Sequence, residues 1–377
     1  MKAPRLSDLI RQPAPAEDLA ASPPPAPLPA VGREEIAADR GKRIVLEAPA
    51  FEPPREERVA FPHTPTEIEA RRDYDLLEQW LGGLYEQARR GNFDPGDVFE
   101  DVRAILRRPR LLDALFTETF RSREGDSSFA RNSLNVAVYS LRLGKVLGYG
   151  EADLVELGVA GLLHKIGLAR LPENLLSKRA RFERGELAQI REHPKIGYEL
   201  LRRVGGQFAR VAKIVHEASE RSDGSGYPRA LREGEIVEAA LVVGLVGVFD
   251  ALIQPRPYRE RMIPFAAVKE LLERERERFP RRLLREFVAA FSVFPPFSYV
   301  RLSSRAIARV LETEPGQPLR PIVSVVLDAD GRPPSEPQML RLFENPRIYI
   351  VGPASEGDLP MPQRREVGKS AGSSGEE

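Results

Sequence analysis

The sequence predicts a mostly helical fold: an all-α domain with an N-terminal helical lead and a small C-terminal β appendage. Between residues 66 and 292 the apolar residues recur at helical spacing, which is typical of packed amphipathic helices. After residue 312 the apolar residues alternate, which is typical of strands. Thirteen of the 34 prolines lie before this region, in residues 1–65, where they disfavour both kinds of element.

Composition divides the chain into five parts. Residues 1–65 are rich in proline and alanine, so we expect them to be disordered. Within them, RLSDLIRQ (5–12) could form a short partner-binding helix, although a solvated tail explains this stretch better. The remaining parts are predicted to be N-terminal helices (66–125), the main helical domain (126–312), a β extension (313–353) and a second disordered tail (354–377).

The predicted helices follow one another closely. The first contains Leu77, Trp80 and Leu84 near helical spacing and stops at Gly91. The others are predicted at 95–107, 110–121, 131–147, 151–165, 184–204, 208–221, 235–253, 264–277 and 281–292. Two strands are predicted, in RPIVSVVLDADGRP (320–333) and PRIYIVGP (346–353), and the first ends in an Asp-Gly turn.

Charge, cysteine content and hydropathy exclude several classes of protein. With 57 basic and 56 acidic side chains, the net charge of +1 offers no electrostatic reason to bind nucleic acid or an anionic membrane. The absence of cysteine excludes disulfides, a thiol nucleophile and cysteine-ligated zinc. The first 20 residues lack the apolar core of a signal peptide, and the apolar stretch 239–253 is too short to span a membrane. We therefore expect a cytoplasmic protein without a membrane span.

Four histidines are the first candidates for chemistry. His164 lies ten residues after Leu154 on the apolar stripe of its predicted helix, so it should point toward the core or a pocket in it. Lys165 follows on the same face, and a buried ammonium needs an acidic partner, a bound anion or a route to water. A packed, hydrogen-bonded core histidine is the alternative interpretation of His164 if it acts alone.

The other histidines differ in position. Pro194 breaks its helix at His193, from where the side chain can enter a cleft or bond a freed carbonyl. His216 lies about 140° around its helix from the buried position Val211, at about 100° per residue, so it should face sideways or outward and is a poor candidate ligand. His63 lies in the proline-rich part and receives no role.

Four stretches appear in order along the chain and carry a family resemblance: AGLLHKIGLARLPENLLSK, EHPKIGYELL, ERSDGSGYPRAL and VFDALIQPRPYR. Together they resemble the HD-GYP subgroup of the HD phosphohydrolase superfamily, over residues 95–350. The resemblance implies an HD-type helical fold and a bacterial signalling protein. Active members of that family hydrolyse cyclic di-GMP with two or three iron or manganese ions.

The ligands that the resemblance implies are mostly missing. His164 matches the histidine of the His-Asp pair, and His193 matches the histidine of the following His-Pro helix. Lys165 replaces the aspartate that bridges the metals. The other departures are Ala218 and Ser219 in place of two histidines, Gly247 in place of an aspartate, Asn132 in place of an upstream histidine, and Leu168 in place of a lysine.

A dinuclear hydrolase needs carboxylates and imidazoles to hold two cations about 3.5–4 Å apart. Here two imidazoles remain, and Lys165 puts a positive charge where a bridging anion should be. We therefore expect no catalytic residues and no metal cofactor, with His164 and His193 as a remnant site. The loop DGSGYP (223–228) is then a structural element that is retained although the metal ligands expected beside it are absent.

Three functions remain open. The first is an inactive HD-GYP-like module that binds other signalling proteins. The second is a nucleotide receptor, for cyclic di-GMP or a related ligand, in which cationic side chains replace the metal charge: Lys165, Lys178, Arg221 and Arg256. Surface solvation and helix-end contacts explain the last three equally well. The third is an enzyme with residual phosphodiesterase activity, using iron or manganese with help from Glu220, Asp223 or Asp250, although Asp250 more readily pairs with Arg256 or Arg259.

Overall fold

Helices form the chain from Pro65 to Phe291, and an antiparallel sheet follows. The structure is a computed structural model that describes residues 65–120, 128–178, 180–254, 262–314 and 317–354. The predicted disordered segments 1–65 and 354–377 lie outside these residues except for Pro65 and Ala354, and the candidate ligand Arg256 also lies outside them. None of the described helices is long and apolar enough to cross a membrane.

The described α-helices are, in chain order, α1 Pro65–Arg90, α2 Val98–Leu106, α3 Pro109–Thr119, α4 Phe129–Val146, α5 Glu151–Leu163, α6 Glu173–Leu176, α7 Arg184–Arg191, α8 His193–Val204, α9 Ala209–Glu217, α10 Glu238–Ile253, α11 Pro264–Arg274 and α12 Arg281–Phe291. Two 3₁₀ helices, Ile166–Arg170 and Gly206–Phe208, precede α6 and α9. The helix predicted at 184–204 is two helices, because Pro194 cannot continue the hydrogen-bonding ladder of α7. The other predicted helices are present, with ends shifted by a few residues.

The core of the helical part surrounds α10. Ten of its residues are buried, as its uniformly apolar sequence predicts. Phe249 of α10 lies within 6 Å of Tyr139 (5.7 Å), Phe287 (5.2 Å) and Phe291 (5.3 Å), measured between ring centroids. These edge-on contacts are the preferred geometry of aromatic pairs, and they fix α10 against α4 and α12.

Close packing of α4 against α5 depends on small residues. A Cβ atom added at Gly161 of α5 would lie 2.5 Å from the Cα atom of Ala137 in α4. One added at Gly158 would lie 2.7 Å from a methyl carbon of Val102 in α2. Glycine therefore lets the backbone of α5 approach both helices.

The C-terminal part is a five-stranded antiparallel sheet in the order β4-β3-β2-β1-β5. Its strands are β1 Tyr299–Leu302, β2 Ile307–Glu312, β3 Ile322–Leu327, β4 Gln338–Arg341 and β5 Ile350–Pro353. The two predicted strands correspond to β3 and β5. All-α is thus an approximate description, because the sheet begins at Tyr299, before the predicted boundary at 313. The sequence analysis missed β1, β2 and β4, of which β1 and β4 have only four residues each and β4 is largely exposed.

Arg142 of α4 connects the helices to the start of the sheet region. Its guanidinium donates to Asp113 Oδ1 (2.8 Å), to the carbonyl of Ala290 (2.6 Å) and to Thr313 Oγ1 (3.0 Å). It also lies 4.1 Å from the ring centre of Phe116. Burial lowers the pKa of this arginine, and Asp113 opposes that effect. A buried guanidinium with these partners fixes the ends of α4, α12 and β2 relative to one another.

The glycine contacts predict opposite effects for two Gly→Ala substitutions. Gly161→Ala should lower the free energy of unfolding by about 1–3 kcal/mol, because the new methyl group overlaps Ala137. Gly83→Ala should raise it by roughly 0.5–1 kcal/mol, because Gly83 is exposed within α1 and a Cβ there meets nothing within 4 Å. Urea unfolding of both variants checks this, and equal effects would contradict the packing.

Candidate functional site

His164 and His193 lie at the ends of two helices that meet. His164 follows the last residue of α5, and its Nδ1 atom lies 2.8 Å from the carbonyl oxygen of Gly161. His193 is the first residue of α8, and its Nδ1 atom lies 2.9 Å from the carbonyl oxygen of Ile190. Because a carbonyl only accepts, each neutral ring carries its proton on Nδ1 and keeps Nε2 as an acceptor. This is the arrangement of metal-binding histidines in general.

The turn after His164 packs directly against the beginning of α8. A Cβ atom added at Gly167 would lie only 2.0 Å from the carbonyl oxygen of His193 and 2.7 Å from the backbone nitrogen of Gly197. No side chain fits at this point, so the backbone of the 3₁₀ helix touches α8. The contact brings the two histidine segments into one corner, which we call the histidine corner (His164, Lys165, Gly167, His193).

Lys165 adds a positive charge to the histidine corner. Burial is the main reason that the pKa of His164 lies well below its usual range, and the Lys165 charge lowers it further. Burial also lowers the pKa of His193 to about 4, again with a contribution from Lys165. Both imidazoles are therefore neutral at pH 7, and Lys165 is near enough to affect both. Lys165 is half-buried, as expected for a cation with a route to water.

The positions where the resemblance expects further ligands carry none. Ala218 caps the end of α9 with its side chain buried, and Ser219 follows it. Gly247 lies on α10, and a Cβ atom added there meets no atom within 4 Å, so the space for a side chain is open. Within the described part of the chain, no three histidine, aspartate or glutamate side chains are arranged to hold a metal ion. Two imidazoles and an ammonium do not fit a dinuclear cation pair.

Asp250 is fully buried beside α4. Asn135 donates to its Oδ1 atom at 2.7 Å, and Asn132 donates to its Oδ2 atom. Tyr74 of α1 donates to Asn135 in turn, at 2.5 Å. The predicted partners of Asp250, Arg256 and Arg259, lie outside the described residues. Two amide donors satisfy this buried carboxylate, so Asn132 has a structural role at the position where the family has a histidine.

Two buried carboxylates position the Gly-Tyr-Pro loop. Glu220, 1% exposed, accepts from the backbone nitrogens of Arg229 (2.7 Å) and Leu231 (3.0 Å). Glu217, equally buried, accepts from the guanidinium of Arg229 (2.5 Å) and the backbone nitrogen of Val237 (2.9 Å). The loop therefore folds back onto the end of α9 through charge-assisted hydrogen bonds. It places the ring of Tyr227 6.1 Å from that of His193.

The remaining candidate side chains have other partners. Lys178 contacts both carboxylate oxygens of Glu186 at 2.7 Å, and this bond lowers the pKa of Glu186. Arg221 donates to the carbonyl oxygen of Glu220 (2.6 Å) and lies 5.0 Å from the ring centre of Phe279. Asp223 accepts from the backbone nitrogen of Ser225 (2.9 Å) within its own turn. A role of Lys178 and Arg221 as phosphate ligands stays a prediction.

Sequence reasoning missed Glu217, Glu220 and Asn135 as the groups that hold the site together. Glu220 was considered only as a metal ligand, yet it binds backbone. The sequence did offer a signal for these groups. Glu217 and Glu220 are acidic residues three positions apart at the end of α9, and both are buried. His216 is half-buried and stacks on Tyr198 at 4.9 Å between ring centroids, so it faces sideways from α9 as predicted.

Comparison with known proteins agrees with this architecture. A family model described as an HD domain matches residues 111–283, and one described as a KOW domain associated with HD domains matches residues 299–360. A cyclic di-GMP phosphodiesterase of Pseudomonas aeruginosa is 29% identical over 262 residues, covering 68% of this chain and 62% of that protein. The phosphodiesterase PdeB of Borreliella burgdorferi is 26% identical, covering 52% of each chain. The response regulator RpfG of Xanthomonas campestris, also named a cyclic di-GMP phosphodiesterase, is 35% identical over 148 residues, covering 39% of this chain and 38% of that protein.

These matches and the fold define the class as an HD domain with an attached β module. More particularly, the chain is an HD-GYP-like protein of the HD superfamily. It spans between half and two-thirds of the length of the first two relatives, 52% and 62%.

The buried carboxylate of Glu220 gives a direct stability test. Glu220→Ala should lower the free energy of unfolding by about 2–4 kcal/mol, because two backbone N–H groups lose their acceptor. Glu277→Ala is the control, since Glu277 is exposed and paired with its neighbour Arg276. Urea unfolding would contradict the assignment if both variants changed stability by less than about 0.5 kcal/mol.

Proposed function

We propose that this chain is a catalytically inactive HD-GYP-like domain that acts as a regulatory binding module in cyclic-dinucleotide signalling. It acts through other signalling proteins or by sensing a nucleotide such as cyclic di-GMP, the compound after which its relatives are named. The proposal rests chiefly on one observation: Lys165 places a positive charge beside both histidines that could hold a metal.

Electrostatics favours this interpretation over hydrolysis. Two unit charges about 4 Å apart interact with an energy of about 4 kcal/mol at an effective dielectric of 20. Between like charges this energy is repulsive, so an ammonium strongly disfavours a divalent cation beside it. Catalytic zinc, which needs the fewest ligands, usually has three protein ligands and one open position. The histidine corner offers two imidazole nitrogens, and Ala218, Ser219 and Gly247 carry no ligand suited to the remaining positions. Activated water, which hydrolysis of the phosphodiester needs, would have no cation to bind.

A nucleotide remains a suitable ligand for the same reason. Lys165 supplies one cation, and a Cβ atom at Gly247, where the resemblance expects a carboxylate, would meet no atom within 4 Å. Because Lys165 lies beside both histidines, phosphate recognition at the histidine corner would depend on this side chain.

Residual phosphodiesterase activity is the alternative, and one observation favours it. Each histidine of the corner bonds a backbone carbonyl through Nδ1, which leaves Nε2 ready to bind a metal. Iron or manganese would be the ion expected of this family. The two functions differ in metal content and turnover, which can be measured on the same sample.

Metal content and hydrolysis separate the two functions. Protein purified without chelator and without a histidine tag should contain far less than one iron, manganese or zinc ion per chain by plasma mass spectrometry. It should also leave cyclic di-GMP intact when either metal is supplied in excess. One metal per chain together with metal-dependent release of linear product would overturn the proposal and establish the alternative.

Restoring acidic ligands should restore metal binding. The double variant Lys165→Asp, Gly247→Asp replaces the cation by a carboxylate and fills the open space on α10 with a second one. We expect its affinity for Mn²⁺, measured by calorimetry, to rise more than tenfold above that of the wild type. The reason is that the carboxylate at position 165 attracts the metal ion, whereas the ammonium of Lys165 repels it. Lys178→Asp is the control, since Lys178 lies in the ion pair with Glu186. Equal affinities in all three proteins would show that Lys165 does not oppose metal binding.

A further inference from the structure

A groove lies between α11, α12 and the segment that precedes β3. Its volume is about 480 Å³. Five residues of α12 line it, together with Pro318 and a leucine of α11: Arg281, Leu284, Arg285, Val288 and Ala289. We call this surface the α12 groove. The five residues of α12 recur at the spacing of one helix face, and none of the lining residues belongs to the histidine corner.

The floor of the α12 groove is apolar and reaches the surface. Leu284 of α12 is buried, whereas Val288 and Ala289 are only half-buried. Leu272 of α11, the fourth apolar side chain that the two helices contribute, is half-buried as well. Apolar surface between the two helices is therefore in contact with water, and a partner that covers it gains the free energy of removing it from water.

The segment before β3 forms a fixed wall of the α12 groove. The carbonyl oxygen of Pro318 accepts from the hydroxyl of Ser292 (2.5 Å) and from the backbone nitrogen of Val293 (3.3 Å). Ser292 directly follows α12 and adopts a φ of +73°, in the left-handed region that is uncommon for residues other than glycine. These bonds hold Pro318 beside the end of α12. The next residue, Leu319, is 56% exposed and adds apolar surface there.

The charge on the lining of the α12 groove is positive. Its charged members are Arg281 and Arg285, which are exposed and lie about one helical turn apart. Arg285 also contacts the carboxylate of its neighbour Glu286 at 3.0 Å. Because α12 has no acidic residue in its first turn, the positive end of its helix dipole adds to the charge of the arginines. Cations at this end of a helix are unfavourable, and carboxylates from a partner would offset that cost.

An acidic amphipathic helix has the chemistry that the α12 groove suits. The lining of α12 runs from residue 281 to residue 289, which is about 12 Å, or two turns, at about 1.5 Å per residue. Helices dock into apolar grooves through side chains at i, i+3, i+4 and i+7, so two turns match one set of these anchors. Guanidinium groups bind the carboxylates beside such anchors in a bidentate manner. Two copies of the groove facing each other would oppose their own arginines, so a symmetric contact fits poorly.

We propose that the α12 groove binds an acidic amphipathic helix of a partner protein. Apolar side chains of that helix occupy the space over Val288 and Ala289, and its glutamate or aspartate side chains pair with Arg281 and Arg285. The proposal rests on the proposed function in one respect, namely that the chain acts through other proteins. It adds where such a partner binds and which charge the partner carries.

Two synthetic helical peptides that carry the same fluorophore test the α12 groove on the full chain. The acidic probe has leucines at i, i+3, i+4 and i+7, glutamates on both sides of this stripe and alanine elsewhere. The basic probe has a lysine in place of each glutamate. By fluorescence anisotropy the acidic probe should bind about tenfold more tightly, because contacts with two arginines change from attraction to repulsion in the basic probe. Added salt should reduce this difference.

Variants of the chain locate the contact. Arg281→Glu with Arg285→Glu should lower the affinity for the acidic probe about tenfold and reverse the preference between the probes. Both arginines are exposed, and acidic residues are favourable at the start of a helix, so this variant should fold. Arg332→Glu with Arg347→Glu is the control: it changes the net charge equally at exposed positions outside the groove and should leave the preference unchanged. Ala289→Leu, which fills the groove, should weaken the binding of both probes.

Four results would overturn the proposal. The first is equal affinity of the unaltered chain for the two probes, and the second is an equal loss of affinity in the groove variant and in its charge control. The third is self-association of the chain in sedimentation velocity that the groove variant abolishes, which would assign the groove to a second copy. The fourth is sedimentation with vesicles of equimolar phosphatidylserine and phosphatidylcholine, without binding of the acidic probe, which would assign it to a lipid surface. None of these measurements involves metal or nucleotide at the histidine corner, so this proposal and the proposed function can fail separately.

Discussion

The contact between Gly167 and the carbonyl of His193 is the constraint on which the candidate site depends. There is no space for a side chain between the 3₁₀ helix and α8, so the turn after α5 must lie against the first residue of α8. This contact holds two histidines from different helices in one corner. It involves backbone atoms and a glycine, and therefore persists whatever side chain follows His164.

Hydrogen bonds to buried carboxylates maintain the rest of the scaffold. Glu217 and Glu220 hold the Gly-Tyr-Pro loop to the end of α9, and Asp250 ties α10 to α4 through two asparagines. Each of these carboxylates is satisfied by N–H donors of the protein itself. The loop and the helices around the histidine corner thus keep their positions through direct protein contacts.

The sequence was a good guide to the helices and a partial guide to the site. His164 was expected on the inner face of its helix, and it is 7% exposed at the end of α5. His193 was expected at a helix break, and it begins α8. The sequence did not indicate the partners of two candidate ligands: Lys178 pairs with Glu186, and Arg221 bonds carbonyls at the end of α9. The spacing of residues along one helix indicates which face a residue occupies. It does not indicate the partner of that residue, because the partner comes from a distant segment of the chain.

The sequence by itself determined the helical class and the order of the motifs, because these depend on local periodicity and residue type. The replacement of an aspartate by Lys165 follows from the family resemblance that these motifs carry. Only the tertiary structure decided that Lys165 affects both histidines, that Asn132 and Asn135 satisfy Asp250, and that Tyr198 stacks on His216 beside Pro228. Each of these joins residues from separate helices or loops. The distances between these residues depend on close backbone contacts at glycines such as Gly161 and Gly167. The periodicity of the sequence does not indicate such distances.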